Sequence, residues 1–222
     1  TITAATPLLL AALGEVVVEK SGVLNLGIEG MMLIGAAVAF WLAMAGWGLP
    51  AAFVGGALAG MLTSCLFALL ALVFMANQYA AGLALAIFGT GLSAMIGMGF
   101  GSTPVATLKP LAIPLLSDIP VLGPLLFRFD AMVYLTLAMV PVLWWWLTRT
   151  KAGLILRTIG ESPENAHAIG YPVRRIRLAA ILFGGAMAGL GGAYLSVAYV
   201  GIWVENMTAG RGWIALSLVV FA

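Results

Sequence analysis

The charged side chains of this chain are concentrated in one segment, residues 149–177, which lies between long apolar runs. Ser162 is placed there to cap a helix, and Pro163 suits the first helical position. Glu164 brings negative charge to the positive end of such a helix, and Gly170 suits a left-handed residue after its last turn. The spacing predicts a helix of about two turns outside the membrane. Six of the ten Lys and Arg residues lie in the segment: Arg149, Lys151, Arg157, Arg174, Arg175 and Arg177.

A helix this short is suited to contact with a partner. It is too short and too weakly apolar to bind a membrane surface strongly, which favours docking on a protein. An ordinary amphipathic helix lying on the membrane surface is the alternative interpretation.

A second group of polar residues interrupts an apolar stretch near the start of the chain. Glu29 stands between Gly27 and Gly30, which would weaken a regular helix. An ionised side chain in lipid costs a few kcal/mol, so Glu29 should face a cavity, a polar partner or the membrane interface. Asn25 can donate and accept hydrogen bonds, which suits a ribose hydroxyl or a base edge. A structural hydrogen bond between helices and a proton-carrying role for Glu29 are the alternatives.

A third polar stretch, residues 205–212, precedes the last apolar run. Asn206 and Arg211 lie in it, and Arg211 could line the outer part of a pathway or pair with Glu205. Together with Asn25 and Glu29, these two residues form the predicted substrate pathway.

The sequence offers no catalytic or metal-binding pattern. It has one His and one Cys, no phosphate-binding G-x-x-x-x-G-K-[ST] loop and no spacing typical of metal ligands. Basic residues form no extended face outside residues 149–177, so nucleic acid is not an expected partner. Any nucleotide chemistry would have to lie on another chain.

Composition predicts an all-α bundle of transmembrane helices, because 63% of the residues are hydrophobic and only 8% are charged, against about 25% charged in soluble domains. Apolar runs predict membrane segments at residues 26–47, 51–75, 80–100, 131–147, 178–200 and from 213 onward, with a shorter apolar segment at 2–13. The last run is too short to span a bilayer, so we expect a C-terminally truncated fragment forming a single transmembrane domain, residues 1–222.

The basic residues also predict the orientation of the chain. Lys and Arg are enriched in cytoplasmic loops, which places residues 149–177 in the cytoplasm and the connection 101–130 outside. Gly pairs spaced by four residues, at Gly56 and Gly60, Gly97 and Gly101, and Gly185 and Gly189, predict close packing of helix backbones.

Three stretches resemble a known family. Residues 164–170, ENAHAIG, resemble the E-A-A-x-x-x-G element of ABC importer permeases, with Asn165 in place of the first Ala. Residues 19–32, EKSGVLNLGIEGMM, and 210–216, GRGWIAL, are similar to the simple-sugar and nucleoside branch of the permeases for branched-chain amino acids and ribose-type sugars.

The resemblance implies a type II-like permease fold with short or broken helices, in a multi-pass protein of a bacterial plasma (inner) membrane. It implies import of nucleosides or simple sugars together with two ABC ATPase subunits, a second permease subunit in a homo- or heterodimer, and an extracytoplasmic binding protein. ATP and Mg would bind to the ATPase, so the permease itself would be no enzyme and would bind no cofactor. The implied ATPase-coupling residues are Arg157, Gly160, Glu161, Ser162, Pro163, Glu164, Asn165, Ala166 and Gly170.

Two other functions stay open at this point. A permease for branched-chain amino acids would share the coupling loop, although a zwitterionic substrate should meet charge or helix termini in the pathway. An ion- or proton-coupled carrier would differ in its energy source.

Overall fold

The computed structural model describes residues 2–101, 103–111 and 129–221, and over these ranges the regular elements are all helical. In chain order they are α1 (Ile2–Lys20), α2 (Ile28–Met44), α3 (Leu49–Ala68, continued by a π-helical turn Leu69–Val73), α4 (Gln78–Gly97), α5 (Ala131–Arg149), α6 (Lys151–Glu161), α7 (Pro163–Ala168), α8 (Val173–Ala193, continued by a π-helical segment Tyr194–Val200) and α9 (Arg211–Val220). Most of the predicted exterior connection, 102 and 112–128, lies outside the described residues.

Among the described residues, five helices are long and apolar enough to cross a membrane: Ile2–Lys20, Leu49–Val73, Gln78–Gly97, Ala131–Arg149 and Val173–Val200. Two further apolar helices are shorter, because α2 has 17 residues and α9 has 10. At about 1.5 Å per residue, α9 rises only about 15 Å, roughly half of a bilayer core. Short helices of this kind were predicted from the family resemblance.

The first helix is longer than the sequence suggested. We expected a short apolar segment at 2–13 followed by a mixed region, but α1 continues to Lys20. The mixed region is helical because Glu15, its polar residue nearest the apolar segment, is buried and accepts a hydrogen bond from the backbone of Asn25.

Helix α8 packs against α1, α2 and α3 at the centre of the described fold. Glycines make the closest contacts: a Cβ on Gly60 would overlap the Gly185 carbonyl, and one on Gly189 would overlap the Gly56 carbonyl. This confirms close packing for two of the predicted Gly pairs. For the third pair the prediction is wrong, because α4 ends at Gly97, which packs on Trp203, and Gly101 has no atom near its Cβ position.

Capping side chains fix the starts of two spans. The carboxylate of Asp130 accepts from the Met132 and Val133 amides at 3.0 and 3.1 Å, and its other oxygen accepts from the Tyr194 hydroxyl at 2.6 Å. Asp130 therefore starts α5 and ties it to α8. Asn77 caps α4 in the same way by accepting from the Tyr79 amide at 2.9 Å.

The glycine contacts generate a prediction with a built-in control. We expect Gly60→Ala to lower the thermal unfolding temperature of the detergent-purified protein, because the added methyl group would overlap backbone and overpacking costs about 1–3 kcal/mol. Gly91→Ala is the matched change in α4, since nothing lies within 4 Å of its Cβ position. Equal unfolding temperatures for the two variants would contradict this account of the packing.

Candidate functional site

The short helix α7 forms where the sequence predicted it, although its N-terminal cap differs. Pro163 is its first residue, and Ser162 occupies the N-cap position. The prediction that the Ser162 hydroxyl caps the helix is wrong, because that side chain makes no capping bond. Ser162 also ends α6, its amide donating to the Thr158 carbonyl at 2.9 Å, so its backbone serves both helices.

The C-terminal end of α7 confirms the glycine cap. Gly170 has a φ of +98° and donates its amide to the His167 carbonyl at 2.9 Å. The Tyr171 amide donates to the Ala166 carbonyl at 3.1 Å, which completes the paired hydrogen bonds of a Schellman motif. The end of α7 is therefore sharply defined.

Most of α7 is exposed on the surface of the described chain. Ala166 is completely buried and anchors the helix, whereas Ile169 is 71% exposed. We define the α7 surface as the exposed residues Glu164, Asn165, His167, Ala168 and Ile169. An exposed isoleucine among polar groups on a capped helix is suited to docking on a protein.

Helix α6, which precedes α7, packs against the connection between α1 and α2. A Cβ on Gly160 would overlap the Lys20 carbonyl, so the α6 backbone touches the end of α1 with no side chain between them. Gly22 also lies against Gly160 and has a φ of +79°, which favours glycine. The Arg177 guanidinium of α8 fixes the same turn by donating to the Ser21 carbonyl at 3.0 Å.

Three of the coupling residues implied by the family resemblance meet in a cleft at this contact. Arg157, Gly160 and Glu161 line a polar cleft of about 600 Å³, together with Glu19, Lys20, Gly22, Val23, Leu24, Gln78 and Val220. The Nε atom of Arg157 is buried there and has no hydrogen-bond partner within the described part of the chain. These three residues therefore face the α1–α2 connection, whereas Glu164 and Asn165 belong to the α7 surface.

The α1–α2 connection folds back into the protein before α2 begins. The Leu24 amide donates to the Gln78 side chain at 3.0 Å, and the Asn25 amide donates to Glu15 Oε1 at 3.2 Å. Glu15 lies five residues before the end of α1, about 7 Å along the helix. Helix α2 consequently starts beside the body of α1 and not beyond its end. Sequence reasoning missed Glu15 as the group that holds the connection there.

Asn25 uses its side chain within this connection. Its Oδ1 accepts from the Gly27 amide at 3.1 Å, and its Nδ2 approaches Met31 Sδ at 3.4 Å. The residue is only 1% exposed. Both polar ends of the amide therefore have partners inside the protein, and Asn25 shapes the turn that starts α2.

Glu29, in the first turn of α2, binds the start of α9. Its Oε1 accepts from the Thr208 hydroxyl at 2.6 Å and from the Gly210 amide at 2.8 Å, while its Oε2 accepts from the Gly212 amide at 2.7 Å. A carboxylate at a helix N-terminus meets unpaired amides and the positive end of the helix dipole. The structure thus gives Glu29 the polar partner that its burial requires, in the form of hydrogen bonds between helices.

The backbone before α9 is irregular, and Arg211 stabilises it. Asn206 and Ala209 have φ angles of 55° and 48°, which are uncommon for residues other than glycine. Arg211 Nη1 donates to the carbonyls of Met207 and Thr208 at 3.0 and 3.2 Å. The predicted pair with Glu205 is wrong, because no ion pair joins the two residues, both of which the structure describes.

The four predicted pathway residues therefore separate into different environments. Glu29 and Arg211 both contact residues of the segment 207–212. Asn25 is buried in the α1–α2 connection, whereas Asn206 is exposed.

A family description matches the whole chain, residues 1–222: branched-chain amino acid transport system, permease component. The chain belongs to this family. This permease is 42% identical over 226 residues to a putative glucose ABC transporter permease protein, TsgC13, of Haloferax volcanii, covering 100% of this chain and 69% of the relative.

Two relatives from other organisms carry nucleoside names. The guanosine ABC transporter permease protein NupQ of Bacillus subtilis is 34% identical over 100% of this chain and 73% of the relative. The nucleoside ABC transporter permease protein NupC of Lactococcus lactis is 32% identical over 97% of this chain and 72% of the relative. This permease is therefore the multi-pass membrane component of an ABC importer, and it carries no ATPase activity of its own.

The Glu29 contacts generate a prediction about stability. We expect Glu29→Gln to lower the thermal unfolding temperature. In the parent protein each carboxylate oxygen accepts from a backbone N–H, whereas the NH₂ group of glutamine would face one of these N–H groups and leave it without an acceptor. An unpaired buried donor costs about 1–3 kcal/mol. Thr208→Val removes only the hydroxyl that donates to Glu29, so it should lower the unfolding temperature less.

Thermal unfolding of the detergent-purified variants measures both effects. Glu205→Gln is the control, since Glu205 is exposed and adjoins the same irregular segment. An unfolding temperature for Glu29→Gln equal to that of Glu205→Gln would mean that the carboxylate does not hold α9.

Proposed function

We propose that the α7 surface docks on the ABC ATPase subunit and that this permease imports a neutral sugar or nucleoside. The observation that carries the docking proposal is a short helix whose anchor, Ala166, is buried while Ile169 and its polar neighbours are exposed. The six basic residues in 149–177 favour a cytoplasmic position for this helix, on the side where ATP is available.

Backbone contacts supply a route from α7 to the membrane interior. A movement of α7 would pull on α6, to which it is joined through Ser162. Helix α6 touches Lys20 and Gly22 through Gly160, without a flexible side chain to absorb the displacement. The connection that begins at Gly22 leads directly to Asn25 and the start of α2. ATP binding and hydrolysis would in this way shift the helix that carries Glu29.

The contacts of Glu29 favour an uncharged substrate. The N-terminus of α9 is the kind of site that attracts a substrate carboxylate in transporters built with broken helices, but Glu29 already occupies it. Names of the relatives support glucose or a nucleoside, both neutral molecules rich in hydroxyl groups. A branched-chain amino acid, named in the family description, is the second candidate.

The assembly we propose contains two permease subunits, two ATPase subunits and an external binding protein. Haloferax volcanii has a second glucose ABC transporter permease protein, TsgB13, that is 27% identical to this chain. Two different but related permeases in one organism favour a heterodimer. The binding protein would deliver substrate to the exterior face, which carries both ends of the connection 101–130.

Docking predicts that a charge placed on the α7 surface separates the permease from the ATPase. We expect Ile169→Asp to reduce co-purification of the ATPase and to abolish substrate uptake, because the new carboxylate would be buried in the interface without a partner. Leu111→Asp is a matched control, an exposed leucine (51%) in the connection 101–130 on the predicted exterior. Normal ATPase co-purification with Ile169→Asp, or loss of it with Leu111→Asp, would contradict the proposed docking site.

Uptake by the reconstituted transporter distinguishes the substrates. We expect radiolabelled glucose or guanosine to accumulate in proteoliposomes in the presence of ATP and the cognate binding protein, and labelled leucine not to accumulate. A variant ATPase unable to hydrolyse ATP is the control for the energy source. Accumulation of leucine alone would overturn the substrate proposal and leave the docking proposal untouched.

A further inference from the structure

An apolar groove of about 680 Å³ opens on the surface between α5, α6 and α8, away from the polar cleft and from Glu29. Its floor is formed by Val17, Leu156 and Ala180, which are buried and belong to one apolar cluster. Its walls include Val142 and Trp145, which are 59% and 56% exposed. The groove is therefore concave, apolar and accessible from outside the chain. The remaining lining residues are Met139, Leu143, Trp146, Ala152, Ile155, Arg175, Ile176, Ala179 and Phe183.

The groove runs along the direction of the helices. On α5 it extends from Met139 to Trp146, and on α8 from Arg175 to Phe183. At about 1.5 Å per residue, these stretches are about 10 and 12 Å long. Because α5 and α8 are both long enough to cross the membrane, a ligand lying in the groove would be oriented like a lipid acyl chain.

One end of the groove lies at the level of the lipid headgroups and is positively charged. Trp145 and Trp146 precede Arg149 at the end of α5, and aromatic residues in this position mark the membrane interface. Arg175 is the charged residue among those that line the groove, and it is exposed at this end. No Asp or Glu lies among the lining residues to neutralise it.

We propose that this groove binds an anionic phospholipid, with an acyl chain along the apolar floor and the phosphate group at Arg175. The apolar walls exclude water and accept the chain, which any phospholipid could supply. The Arg175 guanidinium favours a net negative headgroup, since a guanidinium matches the geometry of phosphate oxygens. Basic pockets between membrane helices on the cytoplasmic side are suited to such lipids.

The position of the groove gives the lipid a mechanical consequence. Ala152 and Ile155 of α6 form one wall, and α6 is followed directly by α7. A bound lipid would brace α6 against α5 and α8 at the joint where Thr150 caps α6 by accepting from the Gly153 amide at 3.1 Å. Anionic lipid would then raise transport activity without touching the substrate pathway.

Native mass spectrometry of the assembled, delipidated transporter tests the proposal. Equal amounts of phosphatidylglycerol and phosphatidylcholine are added, and retained lipids are counted. We expect the parent protein to retain phosphatidylglycerol preferentially. Arg175→Gln should lower this preference about fivefold, the effect of one basic charge near a membrane surface. Arg174→Gln is the matched control, because Arg174 is exposed and adjacent but does not line the groove.

A second variant tests the apolar part of the site. Ala179 is exposed and lines the groove, so Ala179→Trp should fill it and reduce retention of both lipids while preserving the unfolding temperature. Equal phosphatidylglycerol preference in the Arg175 and Arg174 variants would overturn the proposal. Separation of the two permease subunits by Ala179→Trp would also overturn it, by showing that the groove is a protein interface.

Discussion

The carboxylate of Glu29 at the start of α9 is the interaction on which the described architecture depends. The first turns of α2 and α9 lie against each other at the buried residues Glu29 and Gly212, and the first amides of a helix have no partner within the helix itself. Glu29 accepts from the Thr208 hydroxyl and from the Gly210 and Gly212 amides, and the missing side chain of Gly212 lets the two helix starts approach closely. One side chain thereby supplies partners for the amides at the start of α9 and ties that helix to α2.

Backbone-to-backbone contacts connect this interior to the α7 surface. Association of helices in lipid lacks a hydrophobic driving force, so close packing must replace it. The α3–α8 contact at Gly60 and Gly185 and the α6–α1 contact at Gly160 and Lys20 follow this rule. Such contacts have little freedom to absorb a displacement, which is why α7, α6 and the α1–α2 connection are suited to move together when an ATPase subunit changes shape.

Local signals in the sequence predicted the apolar spans and the ends of α7. Both features depend on nearby residues alone: a span on a run of apolar side chains, and the end of α7 on the glycine at position 170. The contact of Glu29 with residues 208–212 joins segments about 180 positions apart, and no local pattern encodes it. Glu15 illustrates the same limit. Its charge suggested an interruption of α1, but its contact with the amide of Asn25, ten residues later, lets it lie inside the helix. Ser162 correctly marked the start of a helix. The same residue also ends α6, and in the backbone conformation that joins the two helices its hydroxyl makes no capping bond.

Site-directed cross-linking measures most directly whether α7 contacts the ATPase. Cys65 is the single cysteine of the chain, so Cys65→Ser provides a background in which Ala168→Cys, on the α7 surface, can be compared with Leu111→Cys in the connection 101–130. A short bifunctional reagent applied to the assembled transporter should join the ATPase to position 168 and not to position 111, with a yield that changes when ATP is added. Absence of a product at position 168, or an ATPase product at position 111, would contradict the account.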